Sequence, residues 1–109
     1  MNNVTYDREV NDTLIKIVKS IGGKKIKKFA FTCRGINGDY NNNAYEEENV
    51  ILLKKSNELV FTTYNLINRS TVFSVDASNI KELHFRTIDS NNYEITLFDG
   101  LYWKVRVTL

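Results

Sequence analysis

The stretch from Tyr93 to Val107, YEITLFDGLYWKVRV, decides the fold. Tyr93, Ile95 and Leu97 alternate with Glu94, Thr96 and Phe98. After Asp99-Gly100, Leu101, Trp103, Val105 and Val107 alternate with Tyr102, Lys104, Arg106 and Thr108. A period of two on both sides of an Asp-Gly pair describes a β-hairpin with one buried face. A two-residue Asp99-Gly100 turn would set Ile95 opposite Lys104, apolar against charged. A three-residue Phe98-Asp99-Gly100 loop sets Leu97 opposite Leu101, Ile95 opposite Trp103 and Tyr93 opposite Val105. Because a one-residue slip turns every side chain to the other face, the odd loop is expected. Gly100 would then hold the left-handed conformation of a type I turn with a G1 bulge.

Upstream, the same alternation recurs in shorter pieces. Leu83 and Phe85 alternate with Glu82, His84 and Arg86 within Ile80–Ile88, and Thr71–Val75 and Leu59–Tyr64 read as strands separated by polar turns. Val50-Ile51-Leu52-Leu53 is short and apolar throughout, as expected of a central strand covered on both faces. Phe29, Phe31 and Cys33 alternate with Lys28, Ala30, Thr32 and Arg34. Between them, residues 35–48 (GINGDYNNNAYEEE) read as one long polar loop. The chain before Gly22-Gly23 has a different period. Val10, Leu14, Ile17, Val18 and Ile21 form one stripe of a helix over residues 7–21, and the glycine pair stops it. The pattern predicts a single α+β domain over residues 1–109: one N-terminal helix, then six or seven antiparallel strands between residues 24 and 108. Either the helix lies on the sheet, or the sheet curls into a partly open barrel.

Composition bounds the function. The 109 residues carry 15 Lys and Arg against 13 Asp and Glu, a net charge of +2, which does not call for a nucleic-acid partner. The excess is local: residues 1–28 hold seven basic residues against three acidic ones, and Glu46-Glu47-Glu48 form the acidic cluster. One Cys excludes an intramolecular disulfide and a Cys-based zinc site. No apolar run is long enough to span a bilayer. Met1–Asp7 has no basic or apolar leader segment, so a cytoplasmic location is expected. The absence of Pro and the many Asn, Lys and Ile residues resemble the coding bias of low-GC bacteria and their phages.

No catalytic constellation, cofactor fingerprint or metal-ligand spacing emerges from the sequence. His84 is the single histidine and lacks a second His or a Cys pair as partner. Cys33 shares the predicted core face with Phe29 and Phe31 and reads as a small buried hydrophobe. No Walker A loop, GxGxxG, GxSxG or HExxH occurs. Two segments carry recognition chemistry. Lys24, Lys25, Lys27 and Lys28, with Arg34 further along, offer cations to an anionic headgroup or partner; the plainer reading is an edge strand that lysine protects from aggregation. Tyr40, Tyr45, Glu46, Glu47 and Glu48 offer adaptable rings and acids to a basic protein surface, against the plainer reading of a mobile loop.

Over residues 49–107 the chain resembles the pleckstrin-homology-like superfamily, in particular bacterial PH-like and GRAM-like domains. The resemblance rests on the hairpin NVILLKKSNELVFTT and on FSVDASNIKELHF followed by YEITLFDGLYWKVRV. Domains of that superfamily close an open barrel with a helix after the last strand. Here the strand pattern runs to Thr108-Leu109 and the helical pattern is N-terminal. The resemblance therefore implies that the N-terminal helix does the plugging, or that the α+β arrangement differs. It also implies a binding module for lipid headgroups, peptides or proteins rather than an enzyme. The expectation is a non-enzymatic cytoplasmic module acting through protein or anionic-headgroup contacts. The alternative is a small phage or mobile-element protein that inhibits a host factor. Self-association through a strand edge stays open.

Overall fold

The computed structural model describes residues 8–34, 45–53 and 60–109. Helix α1 spans Arg8–Ile21; Asp7, the expected first residue, lies outside the described residues. Val10, Leu14, Ile17 and Ile21 are buried and Val18 packs against them, so the stripe read from the sequence is the buried face. Glu9 in the first turn and Lys19 in the last complement the helix dipole.

Among the described residues nine strand segments follow: β1 (Lys25–Ile26), β2 (Lys28–Arg34), β3 (Tyr45–Glu47), β4 (Val50–Leu53), β5 (Val60–Asn65), β6 (Thr71–Asp76), β7 (Glu82–Thr87), β8 (Asn92–Phe98) and β9 (Tyr102–Thr108). Only Lys27 separates β1 from β2, and only Glu48-Asn49 separates β3 from β4, so the segments trace seven strand paths. All strand pairs are antiparallel, in a four-stranded sheet β1-β4-β5-β6 and a five-stranded sheet β3-β2-β9-β8-β7. The fold is thus α+β, with one N-terminal helix and antiparallel strands. Two strand paths pass from one sheet to the other. At the first passage Lys27 N donates to Thr108 O at 2.8 Å. At the second Asn49 takes φ 59°, a left-handed conformation that Asn tolerates better than most residues.

The inner faces share one core. Ile26, Val50, Leu52, Phe73 and Val75 from the four-stranded sheet meet Phe29, Leu83, Ile95, Leu97, Val105 and Val107 from the five-stranded sheet, with the α1 stripe and Ile80. Phe73 joins the sheets through rings, with centroids 6.3 Å from Phe29, 5.0 Å from Phe31 and 5.2 Å from Trp103. α1 packs along β7, and its end is tied to β4: Gly22 bridges Leu52, and Gly23 N donates to Leu52 O at 3.0 Å. A Cβ on Gly22 would collide with the Val18 carbonyl oxygen, and Gly23 stands at φ 75°, so both glycines fit the tight exit from the helix.

Three expectations change. The β8–β9 loop has the expected odd length, but it is Asp99-Gly100-Leu101. The pairs are Leu97 with Trp103, Ile95 with Val105 and Tyr93 with Val107. A shift of two residues keeps every side chain on its face, so the alternation alone does not choose between the two registers. Gly100, at φ 107°, is the middle loop residue rather than the last. Second, residues 35–48 are not one loop, because Tyr45–Glu47 form β3, paired with Phe29–Phe31 at the sheet edge. A short, charged edge strand has no apolar alternation to announce it, since charge on an edge serves to discourage further pairing. Third, β4 is interior to its sheet but is not covered on both faces: Val50 and Leu52 are buried and Ile51 is half-buried. No helix among the described residues is long and apolar enough to cross a membrane.

Candidate binding site at the passage between sheets

The lysine cluster is placed by the exit from α1. Lys24 N donates to Ile21 O at 3.2 Å, and the chain then enters β1, pairing Lys25 with Ile51 and Ile26 with Val50. Ile26 is fully buried, which anchors this short strand in the core. Lys25 and Lys27, on either side of it, are exposed. Past the bend, Lys28 stands opposite Thr108 and Phe29 is again buried. Two deep anchors three residues apart thus hold three lysines at one rim.

Lys25, Lys27 and Lys28 line a cleft of about 370 Å³ together with Glu48, Asn49 and Thr108. The structure brings these three predicted cations together. Lys24 is exposed but is not part of the wall. Arg34 is separated from the group: it ends β2, opposite Tyr102, about 20 Å along the strand from Lys28 at the usual rise per residue. Glu48, expected in a partner-binding loop, is an exposed residue of the cleft wall, where it supplies one carboxylate among three ammonium groups. Tyr45, Glu46 and Glu47 have their backbones in β3, and Tyr40 lies outside the described residues.

The cleft meets a second one of about 430 Å³ at Lys28 and Thr108; there Arg106, Asp89 and Asn92 join the wall. Arg106 also belongs to a charge group that extends beyond this cleft to Glu94 and Arg86. Glu94 stands between Arg86 and Arg106 on adjacent strands, with oxygens 3.1 and 3.2 Å from the two guanidinium groups. Its side chain is only 12% exposed, against 68% and 63% for the arginines. Asp89 accepts hydrogen bonds from the Asn91 and Asn92 backbone N–H groups and from the Asn92 side chain. These bonds, that from Asn91 first, hold its carboxyl below the usual range.

Beside the lysine cleft stands the β5–β6 turn. Asn65 is buried and organises it: Asn65 Oδ1 accepts the Ile67 and Asn68 N–H groups at 2.8 and 3.0 Å, and its Nδ2 donates to Glu48 O at 3.3 Å. Leu66 N donates to Asn49 O at 2.8 Å, joining the turn to a residue of the cleft wall. Sequence reading missed Asn49, Asn65 and Thr108. Thr108 is placed by its register with Lys28, which only the structure shows, and nothing in the pattern marked Asn65 as different from the other Asn residues.

The residues considered for reactivity are dispersed. His84 is exposed on β7 opposite Thr96. Cys33 is half-buried opposite Trp103, and burial, followed by the Asp99 charge, pushes its thiol up. Among the described residues no three His, Cys, Asp or Glu side chains gather as metal ligands would. Compared with known proteins, the chain matches no protein-family model, and neither a curated protein nor a solved structure gives a significant match.

Proposed function

We propose that this chain is a non-enzymatic binding module that takes a phosphate-bearing anionic headgroup at the passage between its two sheets. One observation carries the reading: Lys25, Lys27 and Lys28 converge on a single cleft whose other residues are Glu48, Asn49 and Thr108. Three ammonium groups supply charge-assisted donors, while the Thr hydroxyl and Asn amide supply neutral ones. The buried Ile26 and Phe29 fix the backbone beneath the lysines, so the site is held in place before the ligand arrives. The resemblance of residues 49–107 to PH-like domains supports the same class of function.

The test is titration of the full chain with inositol hexakisphosphate, followed by amide NMR shifts. Shifts centred on Lys25–Lys28, Asn49 and Thr108 are expected. Lys25→Glu with Lys27→Glu should weaken binding by at least about tenfold, from the loss of roughly 1 kcal/mol per cation. An affinity that does not change in the double variant overturns the assignment.

A further inference from the structure

The turn beside the cleft has an unusual surface. Ile67 is 74% exposed and Leu66 44% exposed, two aliphatic side chains on the tip of a hairpin. Arg69 is exposed next to them. By itself a pair of exposed aliphatic residues would mean little. The backbone adds the second observation. Every N–H from Leu66 to Ser70 is bonded within the protein. Leu66 N donates to Asn49 O, Ile67 N and Asn68 N donate to Asn65 Oδ1, Arg69 N donates to Asn65 O, and Ser70 N donates to Asn68 Oδ1. An unbonded backbone N–H would strongly oppose entry into a medium with little water. This turn has none among those five donors.

Position supplies the third observation. The register sets Ile26 opposite Val50 and Val50 opposite Asn65, so Lys27, Asn49 and Leu66 follow one another at the same end of the four-stranded sheet. Neighbouring strands lie about 4.8 Å apart, which puts the apolar tip within about 10 Å of the lysine rim. Cations flank a convex, donor-satisfied, aliphatic tip. That combination fits the boundary between the headgroups and acyl chains of an anionic bilayer, with ammonium groups at the phosphates and aliphatic carbons just below them. A folded protein partner would need a complementary hollow for the tip, whereas a fluid bilayer moulds itself around it.

We infer that Leu66 and Ile67 insert into the surface of an anionic membrane while Lys25, Lys27 and Lys28 hold its headgroups. The inference rests on the lysine-cleft reading and adds the bilayer as the carrier of the anion. It places the turn end of the β5–β6 hairpin towards the membrane.

The experiment compares sedimentation of the full chain with vesicles of pure phosphatidylcholine and with vesicles containing about 30 mol% phosphatidylserine. Binding to the anionic vesicles alone is expected. Leu66→Ser with Ile67→Ser should reduce it by about tenfold or more and leave the inositol hexakisphosphate affinity unchanged. Ile67→Trp should give an emission shift to shorter wavelength and quenching by shallow lipid-borne quenchers when anionic vesicles are added. Vesicle binding that is indifferent to the double serine variant overturns insertion. So does the absence of vesicle binding by a chain that still binds the soluble phosphate, and the cleft reading then survives alone. If neither vesicles nor soluble phosphate bind, both readings fall. Circular dichroism confirms that the serine variant folds, as expected for two exposed positions.

Discussion

The two hairpins β8–β9 and β5–β6 solve the same problem by different means. β8–β9 is governed by its strands. Seven successive pairs run without interruption from Asn92–Thr108 to Phe98–Tyr102, and the buried residues of both strands fall on one side. Its turn needs only a residue that accepts φ 107°, plus an Asp99 carboxylate that accepts Trp103 Nε1–H at 3.0 Å and Leu101 N–H at 3.3 Å. β5–β6 is governed by its turn. Its register slips between Thr63 and Tyr64, its last strand residue, Asn65, is buried, and Arg69 takes φ 59° with no glycine present. Regular alternation makes a hairpin that can be read from the chain. A buried polar side chain makes one that can be read only once its partners are known.

The largest expected effect comes from the strand-governed side. Ile95→Ala empties a fully buried position in β8 and should cost about 2–5 kcal/mol in denaturant unfolding. A cost below about 1 kcal/mol would show that the β8–β9 face is not the centre of the core. Asn65→Ala should cost about 2 kcal/mol, because it leaves the Ile67 and Asn68 N–H groups without their acceptor. It should also speed hydrogen exchange at those two amides while the amides of β8 keep their protection. Equal loosening of both hairpins would erase the contrast drawn between them. The smallest effect is Gly100→Val, about 1 kcal/mol. No atom lies within 4 Å of a Cβ built there, so the cost is conformational, and Gly100→Asn should recover much of it. A Gly100→Asn variant as unstable as Gly100→Val would point to steric crowding instead.

These contrasts explain what the sequence disclosed. The α1 stripe, the sharp stop at Gly22-Gly23 and the alternation of Leu83, Ile95, Leu97, Val105 and Val107 all arise from burial, which writes a period into the chain. The hairpin parity followed from the same cause, but its register did not. Leu101 carries an apolar side chain yet sits exposed in the loop, and moving the pairing by two residues costs the pattern nothing. β3 stayed hidden because Tyr45-Glu46-Glu47 shows no apolar alternation in the sequence, while its backbone pairs with β2. The lysine cluster was visible as a run. Its division, with Lys25, Lys27 and Lys28 at one cleft and Arg34 at the far end of β2, depends on where a strand bends between sheets. Composition does not encode that bend.

The tie between α1 and the two sheets bears on how the chain reaches this arrangement. The helix lies along β7 and is fastened at its end to β4, so the whole four-stranded sheet separates it in sequence from the strand it rests on. A helix of 14 residues is marginal alone in water, and contacts between remote parts of a chain form slowly. Emerging ahead of every strand described here, the segment meets β4 first and the strand it rests along, β7, only later. Its oily stripe is therefore fully covered only once a strand far down the chain has been made.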